Sequence, residues 1–342
     1  MTAERSFSDR VKGRSAVPLW EIFSNVVSPT PRPSFDPRLW KYADLRPLLI
    51  ESLDAVAIEE AERRVLILSN TPGNSITHSM FCGFQVVGPG ETARCHRHTQ
   101  AAIRFVVEGG DAFSAVDGER LYMSRGDFIT TPSWTWHEHT NNGDTPLIWL
   151  DGLDVPLTNF LGATFAEGHP DGNQTILRPD DDSARRYGAG MLPVDTVPGH
   201  SHSPIYKYPY EQCRATLESL RRGEMDPVHG IAMKYADPRS GGHVMPTLAA
   251  YLQLLPKGFA GTALRHTASQ VFIVVEGEGQ TKIGDSVFDW SENDVFVVPN
   301  WTWFSHAAPR DAVLFSYSDR AALENLGLWR EERDGGHGGG AP

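Results

Sequence analysis

The sequence predicts a mainly β chain built as two jelly-roll barrels of one design, with an N-terminal helical and extended arm. From Phe84 to Val155, short apolar stretches alternate with Gly, Pro, Asn and Asp turns, the pattern of a barrel or sandwich. An internal repeat doubles this unit: His96-Arg-His-Thr-Gln-Ala-Ala-Ile-Arg-Phe-Val-Val-Glu-Gly109 aligns without gaps on Leu264-Arg-His-Thr-Ala-Ser-Gln-Val-Phe-Ile-Val-Val-Glu-Gly277. Pro132-Ser-Trp-Thr-Trp-His-Glu-His139 likewise aligns on Pro299-Asn-Trp-Thr-Trp-Phe-Ser-His306. Finally, His96 and His98 are two residues apart, so on a strand they share a face and can grip one metal ion, with His137 as a third ligand from another strand.

Residues 1–75 read as the arm and a helix. Pro18-Leu-Trp20, Pro31-Arg-Pro33 and Trp40 suggest an extended segment, Leu45 to Arg63 carries apolar residues among acids as a helix does, and Val65-Leu-Ile-Leu68 is a short strand. The first barrel is placed at 76–165. Residues 166–205 hold Pro179-Asp-Asp-Asp182 and several glycines without clear periodicity, and read as a linker. The second barrel takes 206–325. The tail 326–342 ends in a Gly-rich run, reads as disordered, and makes His337 a poor ligand candidate.

Composition bounds the function. A chain of 342 residues with 40% hydrophobic content supports about two cored domains. The net charge of −12 and the lack of a basic run argue against nucleic acid, so an anionic substrate must be drawn in by local cations. No run of some twenty apolar residues and no secretory pattern appear, which leads us to expect a soluble, cytoplasmic protein without membrane partners. The three cysteines, Cys82, Cys95 and Cys213, are odd in number and widely spaced, as suits reduced thiols.

The intervals around the histidines resemble the two sequence motifs of the cupin fold: Gly90, five residues, His96-x-His98, then Gly110; and Gly126, five residues, Pro132, four residues, His137, three residues, Asn141. Many cupins add a glutamate ligand four or five residues after the second histidine, where this chain has Ala102 and Ile103. The site is therefore three neutral imidazoles with no carboxylate. The ion keeps its full charge and open positions, which favours an anionic chelating substrate. In the second barrel the equivalents of His96 and His137 are Leu264 and Phe304, leaving His266 alone at a ligand position. A single imidazole cannot hold a divalent metal against water, so His266 and His306 are taken as non-ligands and the barrel as structural.

Across nearly its whole length the chain resembles the gentisate 1,2-dioxygenase family of bicupins, which includes salicylate and 1-hydroxy-2-naphthoate dioxygenases. The resemblance rests on Pro18-Leu-Trp20, Trp40-Lys-Tyr with Leu45-Arg-Pro47, Ala61-Glu-Arg-Arg-Val-Leu66, Pro89-Gly-Glu91, the two histidine blocks and Met245-Pro-Thr-Leu248, in that order. It implies one Fe(II) per chain on His96, His98 and His137, and a pocket lined by Arg104, His139, Gln85, Asp151 and one of Arg63 or Arg64. It also implies a homotetramer, and cleavage by dioxygen of the C1–C2 bond between the carboxylate-bearing and hydroxyl-bearing carbons of an aromatic acid. For gentisate the product would be maleylpyruvate.

Each transferred role has a physical basis. Arg104, six residues beyond His98, faces the same interior if the strand continues regularly, and its planar fork suits a carboxylate; its repeat counterpart is Phe272, so the fold does not demand a cation there. His139 shares the face of His137 and can serve as acid and base toward a substrate hydroxyl, and with Arg104 it forms the expected catalytic pair. Gln85 can also bond backbone, Asp151 can cap a turn, and Arg63 and Arg64 close an expected helix. Gly83, within Phe81-Cys-Gly-Phe-Gln85, leaves room that can admit 5-substituted salicylates or a fused ring. The expected function is an Fe(II)-dependent ring-cleaving dioxygenase for gentisate or a 5-substituted salicylate. The alternatives are a 1-hydroxy-2-naphthoate dioxygenase and, from another class, a non-catalytic or isomerase-type cupin binding a small acid or sugar.

Overall fold

A computed structural model describes residues 7–33, 35–70, 73–196 and 201–334, so His337 and the end of the tail lie outside the described residues. The chain divides into two compact units, Met1–Arg32 and Pro33–Pro342. The first holds helices at Phe7–Lys12 and Leu19–Val26. Ser8 Oγ donates to Glu21 at 2.9 Å and the Phe7 and Trp20 rings stack at 6.4 Å. The arm, expected as helical and extended, is helical over these two spans. Pro18 stands just ahead of the second helix, where its missing N–H has no partner to lose.

In the second unit, four antiparallel sheets form two jelly rolls that do not close into barrels. The first jelly roll stacks a six-stranded sheet containing Phe81–Val87, Ala102–Glu108, Phe128–Thr131 and Leu147–Leu153 on a five-stranded sheet containing Thr92–His98, Ala112–Val116 and His137–Asn141. The second repeats this arrangement, with strands such as Ala249–Leu255, Gln270–Glu276 and Ala312–Ser318 in its large sheet. Strand alternation assigns each residue a side. In Ala102–Glu108, Arg104 and Val106 look into the jelly roll while Ile103 and Phe105 look out. The outward residues join one core shared by both jelly rolls, in which Phe105 stacks on Phe315 at 4.4 Å. Gly152 is required by this contact, since a Cβ there would come within 2.7 Å of the Tyr317 ring.

The repeat runs further than the sequence alignment. Strand Arg38–Trp40 leads into helix Tyr42–Ala55, and strand Lys207–Tyr208 leads into helix Tyr210–Leu220. Tyr42 N–H donates to Asp294 and its hydroxyl to Glu108; Tyr210 N–H donates to Asp127 and its hydroxyl to Glu276. The leading strands are exchanged: Arg38–Trp40 pairs with Val295–Val297 of the second jelly roll, and Lys207–Tyr208 with Phe128–Ile129 of the first.

Three expectations need correction. The helix read over Leu45 to Arg63 is two, Tyr42–Ala55 and Ile58–Ala61, separated by extended residues at Val56 and Ala57. The stretch 166–205 is not a free linker. Ala166–Gly168 pairs with His96–His98, Gln174 N–H donates to Glu138 at 3.0 Å, and Ser183 Oγ donates to buried Glu119 at 2.7 Å. These anchors are one three-residue strand and single polar contacts to residues distant in sequence, which leave no periodicity to read. The tail is ordered at its start: Glu331–Arg333 pairs with Leu264–His266, just as Ala166–Gly168 covers the first jelly roll. All three cysteines are free, as expected.

Candidate metal centre

Strands Thr92–His98 and His137–Asn141 pair with a bulge between Ala93 and His96, which brings His96 directly opposite His137. His98, two residues on, completes a cluster whose ligand atoms all lie within 4.8 Å of one another. Each ring is oriented through Nδ1 by a backbone carbonyl two residues away in sequence: Gln100 for His98 and Thr135 for His137, both at 3.0 Å, and Arg94 for His96 at 3.3 Å. A carbonyl only accepts, so in His98 and His137 Nδ1 carries the proton and Nε2 keeps the lone pair that a metal requires, whereas Nδ1 of His96 also lies against the Arg63 guanidinium. His137 Nε2 is buried with no hydrogen-bond partner. Such an orphan is costly unless a ligand takes it, and an all-imidazole donor set suits a divalent transition metal, so these residues fit the expected ion. Burial and the nearby guanidiniums push the imidazoles down, His96 to about 3 and His98 to about 4, with His137 and His139 also well below the usual range. The cluster is neutral.

Arg104 and Asp151 face each other across neighbouring strands, with Nε and Oδ1 3.4 Å apart, and both are buried. The Arg104 guanidinium also donates to Thr131 Oγ1. Burial lowers Arg104 and raises Asp151, each opposed by the attraction of the other. Arg104 therefore already holds an anionic partner inside the protein, whereas the sequence reading supplied only a substrate. Thr131 was not foreseen, since a threonine in a Thr-Thr-Pro run carries no signal of its own.

His139 is fully buried, neither of its ring nitrogens has a partner, and its ring lies 4.9 Å from that of Trp149. In the second jelly roll the equivalent His306 bonds Thr281 at 2.8 Å. That contrast leaves His139 available to a ligand. Gln85 sits opposite Trp149 with its Nε2 unpartnered, but the equivalent Gln253 has the same character, so glutamine here does not by itself mark the metal-binding half.

The choice between the two arginines is resolved by parity. Val65 pairs with Gln85 on the inner face, so Arg63 shares that side and Arg64 does not. The Arg63 guanidinium reaches His96 Nδ1, and burial with the neighbouring Arg104 lowers it to about 10. Arg64 instead forks onto Glu91 at 2.5 and 2.9 Å and bonds the Val56 carbonyl. A cavity of about 620 Å³ reaches Arg63 and His96, with Gly168–Asn173 on its outer wall.

Gly83 faces Asp151 on the inner side, yet a Cβ there would meet Val65 Cγ1 at 2.6 Å and the Leu66 carbonyl at 3.0 Å. Its small size is required by the neighbouring strand. Gly83→Ala is expected to lower stability by about 1–3 kcal/mol, as overpacking does, and to reduce kcat/KM equally for small and fused-ring acids. Val65→Ala in the same chain should restore part of the loss. A selective penalty on bulky acids at unchanged Tm would return Gly83 to the substrate wall.

In the second jelly roll the positions that face each other as His96 and His137 face each other as Leu264 and Phe304. His266 bonds the Ala268 carbonyl at 2.9 Å and packs edge-on against Phe304. Among the described residues, the metal-ligating cluster is that of the first jelly roll.

Comparison with known proteins agrees with this geometry. The Cupin domain model matches residues 83–153 and 251–316, one segment in each jelly roll. Gentisate 1,2 dioxygenase 1 of Aquipseudomonas alcaligenes is 47% identical over 340 residues, 98% of each chain. The 5-aminosalicylate 1,2-dioxygenase of a Comamonas species is 37% identical, covering 92% of this chain and 86% of that one. The salicylate 1,2-dioxygenase of Pseudoaminobacter salicylatoxidans, solved as adducts with gentisate, superposes with a TM-score of 0.91 at 31% identity, covering 98% and 97% of the two chains. A non-catalytic or isomerase-type cupin does not fit this placement. The chain belongs to the gentisate 1,2-dioxygenase family of bicupins and is a ring-cleaving oxidoreductase that incorporates both atoms of dioxygen.

Proposed function

We propose that this chain opens the C1–C2 bond of gentisate or a 5-substituted salicylate using one Fe(II) held by His96, His98 and His137. The observation that carries the reading is the meeting, inside one jelly roll, of three convergent imidazoles with two buried guanidiniums. The guanidiniums of Arg63 and Arg104 outnumber the one carboxyl group facing them, that of Asp151, beside a neutral cluster. That excess suits an acid whose carboxylate and ortho-hydroxyl both approach the metal. Bound there, Fe(II) supplies the open positions and the electron that dioxygen chemistry requires.

The protein groups do the positioning. Arg104 presents its fork to the substrate carboxylate, and Asp151 with Thr131 holds that fork in one orientation. Arg63 closes the side toward the cavity. His139, neutral and unpartnered, accepts a hydrogen bond from the ring hydroxyl and orients it, with Trp149 packed against its ring. Gln85 offers its free amide N–H to the ring substituents. Both oxygen atoms end in a ring-opened oxo-acid, so no further oxidant is needed.

Support for gentisate comes from the Aquipseudomonas relative and for salicylates from the Comamonas and Pseudoaminobacter enzymes. A fused-ring substrate is the second reading, supported by a Nocardioides 1-hydroxy-2-naphthoate 1,2-dioxygenase at 36% identity. The family resemblance supports a cytoplasmic homotetramer; among the described residues no helix is long and apolar enough to cross a membrane. The test is anaerobic reconstitution with Fe(II), then oxygen uptake with gentisate, 5-aminosalicylate, salicylate and 1-hydroxy-2-naphthoate. We expect gentisate to give the highest kcat/KM. Uptake with none of the four, at one iron per chain, would overturn the reading.

A further inference from the structure

The second jelly roll has lost its metal ligands but keeps a cavity. It measures about 350 Å³ and opens at the place that corresponds to the metal centre of the first, walled by Leu264 and His266 where that centre has His96 and His98. Its polar groups come from adjacent strands with matched register. Tyr251 pairs with Lys234, and Gln253 with Ala232, so by alternation all four residues face the same side. Gln253 is 4% exposed and its Nε2 has no hydrogen-bond partner; the Tyr251 hydroxyl is buried beside Arg320. At the position of Tyr251 the first jelly roll has Gly83, so the donor hydroxyl is particular to this half.

Charge in the cavity is uneven. Arg333 is taken up by Asp226 at 2.9 Å and Glu331 at 3.1 Å, and Arg320 by Glu324 at 2.6 Å. Lys234 has no carboxylate within ion-pair distance among the described residues. Three donors, an ammonium, a phenol and an amide, thus share one wall of the cavity, where Lys234 has no ion-pair partner among the described residues and the Gln253 Nε2 has no hydrogen-bond partner. The cavity wall also includes apolar Leu264 and Trp329, whose ring has the Arg320 guanidinium 3.9 Å from its centroid and lies 5.2 Å from that of His266.

We propose that this cavity is a second ligand site, binding a small planar carboxylic acid without metal. The carboxylate lies among Lys234, Tyr251 and Gln253, and the ring toward the apolar wall at Leu264. The site is independent of the metal centre.

The test is calorimetric titration of benzoate into the anaerobic Fe(II) protein and its variants. We expect a binding event that survives His98→Ala and is weakened at least about tenfold by Lys234→Ala, which removes an exposed cation without disturbing the core. Gln253→Leu should weaken it similarly, while turnover of gentisate by both second-barrel variants stays at the parental level in the absence of benzoate. Benzamide, of the same shape without the charge, should bind at least about tenfold more weakly than benzoate. Binding abolished by His98→Ala and unchanged in Lys234→Ala and Gln253→Leu would assign benzoate to the metal centre alone and overturn the proposal, as would equal binding of benzamide. Absence of any binding to His98→Ala at millimolar benzoate would do the same.

Discussion

His98→Ala is expected to strip the metal and to lower ring-cleaving activity by more than about 100-fold, because even groups that merely orient a metal ligand are worth 10–100-fold. The same substitution in the repeat, His266→Ala, should leave metal content near one per chain. The difference follows from what stands opposite each histidine: His137 and His96 converge with His98, whereas His266 packs against Phe304 beside Leu264. Metal analysis of the two purified variants, each checked for folding by circular dichroism, decides the matter. Two irons per chain in the parent, or parental iron content in His98→Ala, would remove the basis for assigning the chemistry to the first jelly roll.

Arg104→Ala should cost roughly 2–5 kcal/mol of substrate binding, or about 30-fold to several thousand-fold in affinity, through loss of a desolvated bidentate contact. The structure adds a second effect. Asp151 would be left buried without its cation, and breaking such a pair typically costs about 3–5 kcal/mol of stability. Affinity and Tm should therefore fall together in Arg104→Ala. Arg104→Lys keeps the charge beside Asp151 but loses the fork, so it should recover most of the Tm and little of the affinity. Anaerobic binding of gentisate to the iron-loaded variants, alongside thermal unfolding, separates the two contributions. Parental affinity in folded Arg104→Ala would show that the guanidinium serves only Asp151.

The sequence made the metal-binding half legible because strand alternation and the internal repeat act on the same residues. His96 with His98, and His137 with His139, obey period two within single strands, Arg104 lies on the next strand in the other sheet, and Leu264, Phe272 and Phe304 show by contrast which of them the fold can do without. Arg63 could also have been separated from Arg64, by carrying the parity of Val65 one step back beyond the start of the strand. Less could be read where the decisive contact is long-range. The pairing of Arg104 with Asp151, the constraint on Gly83 from Val65, and the anchoring of 166–205 through Gln174 and Ser183 all depend on which strands become neighbours. Exchanged strands of two or three residues are too short for any periodicity.

That exchange has a consequence for how the molecule comes into being. Neither jelly roll is a contiguous stretch of chain: the first lacks an edge strand until Lys207–Tyr208 has been made, and Arg38–Trp40 has no partner until Val295–Val297 has emerged. During synthesis the metal-binding half must wait with an open sheet edge and with the outer faces of Phe105 and Phe128 uncovered, since their apolar neighbours, Phe315 among them, are translated last. A gene cut between the repeats would thus yield two fragments, each carrying a strand that belongs to the other. The half that holds the histidines cannot be had alone, so the half without them is part of what makes an active enzyme.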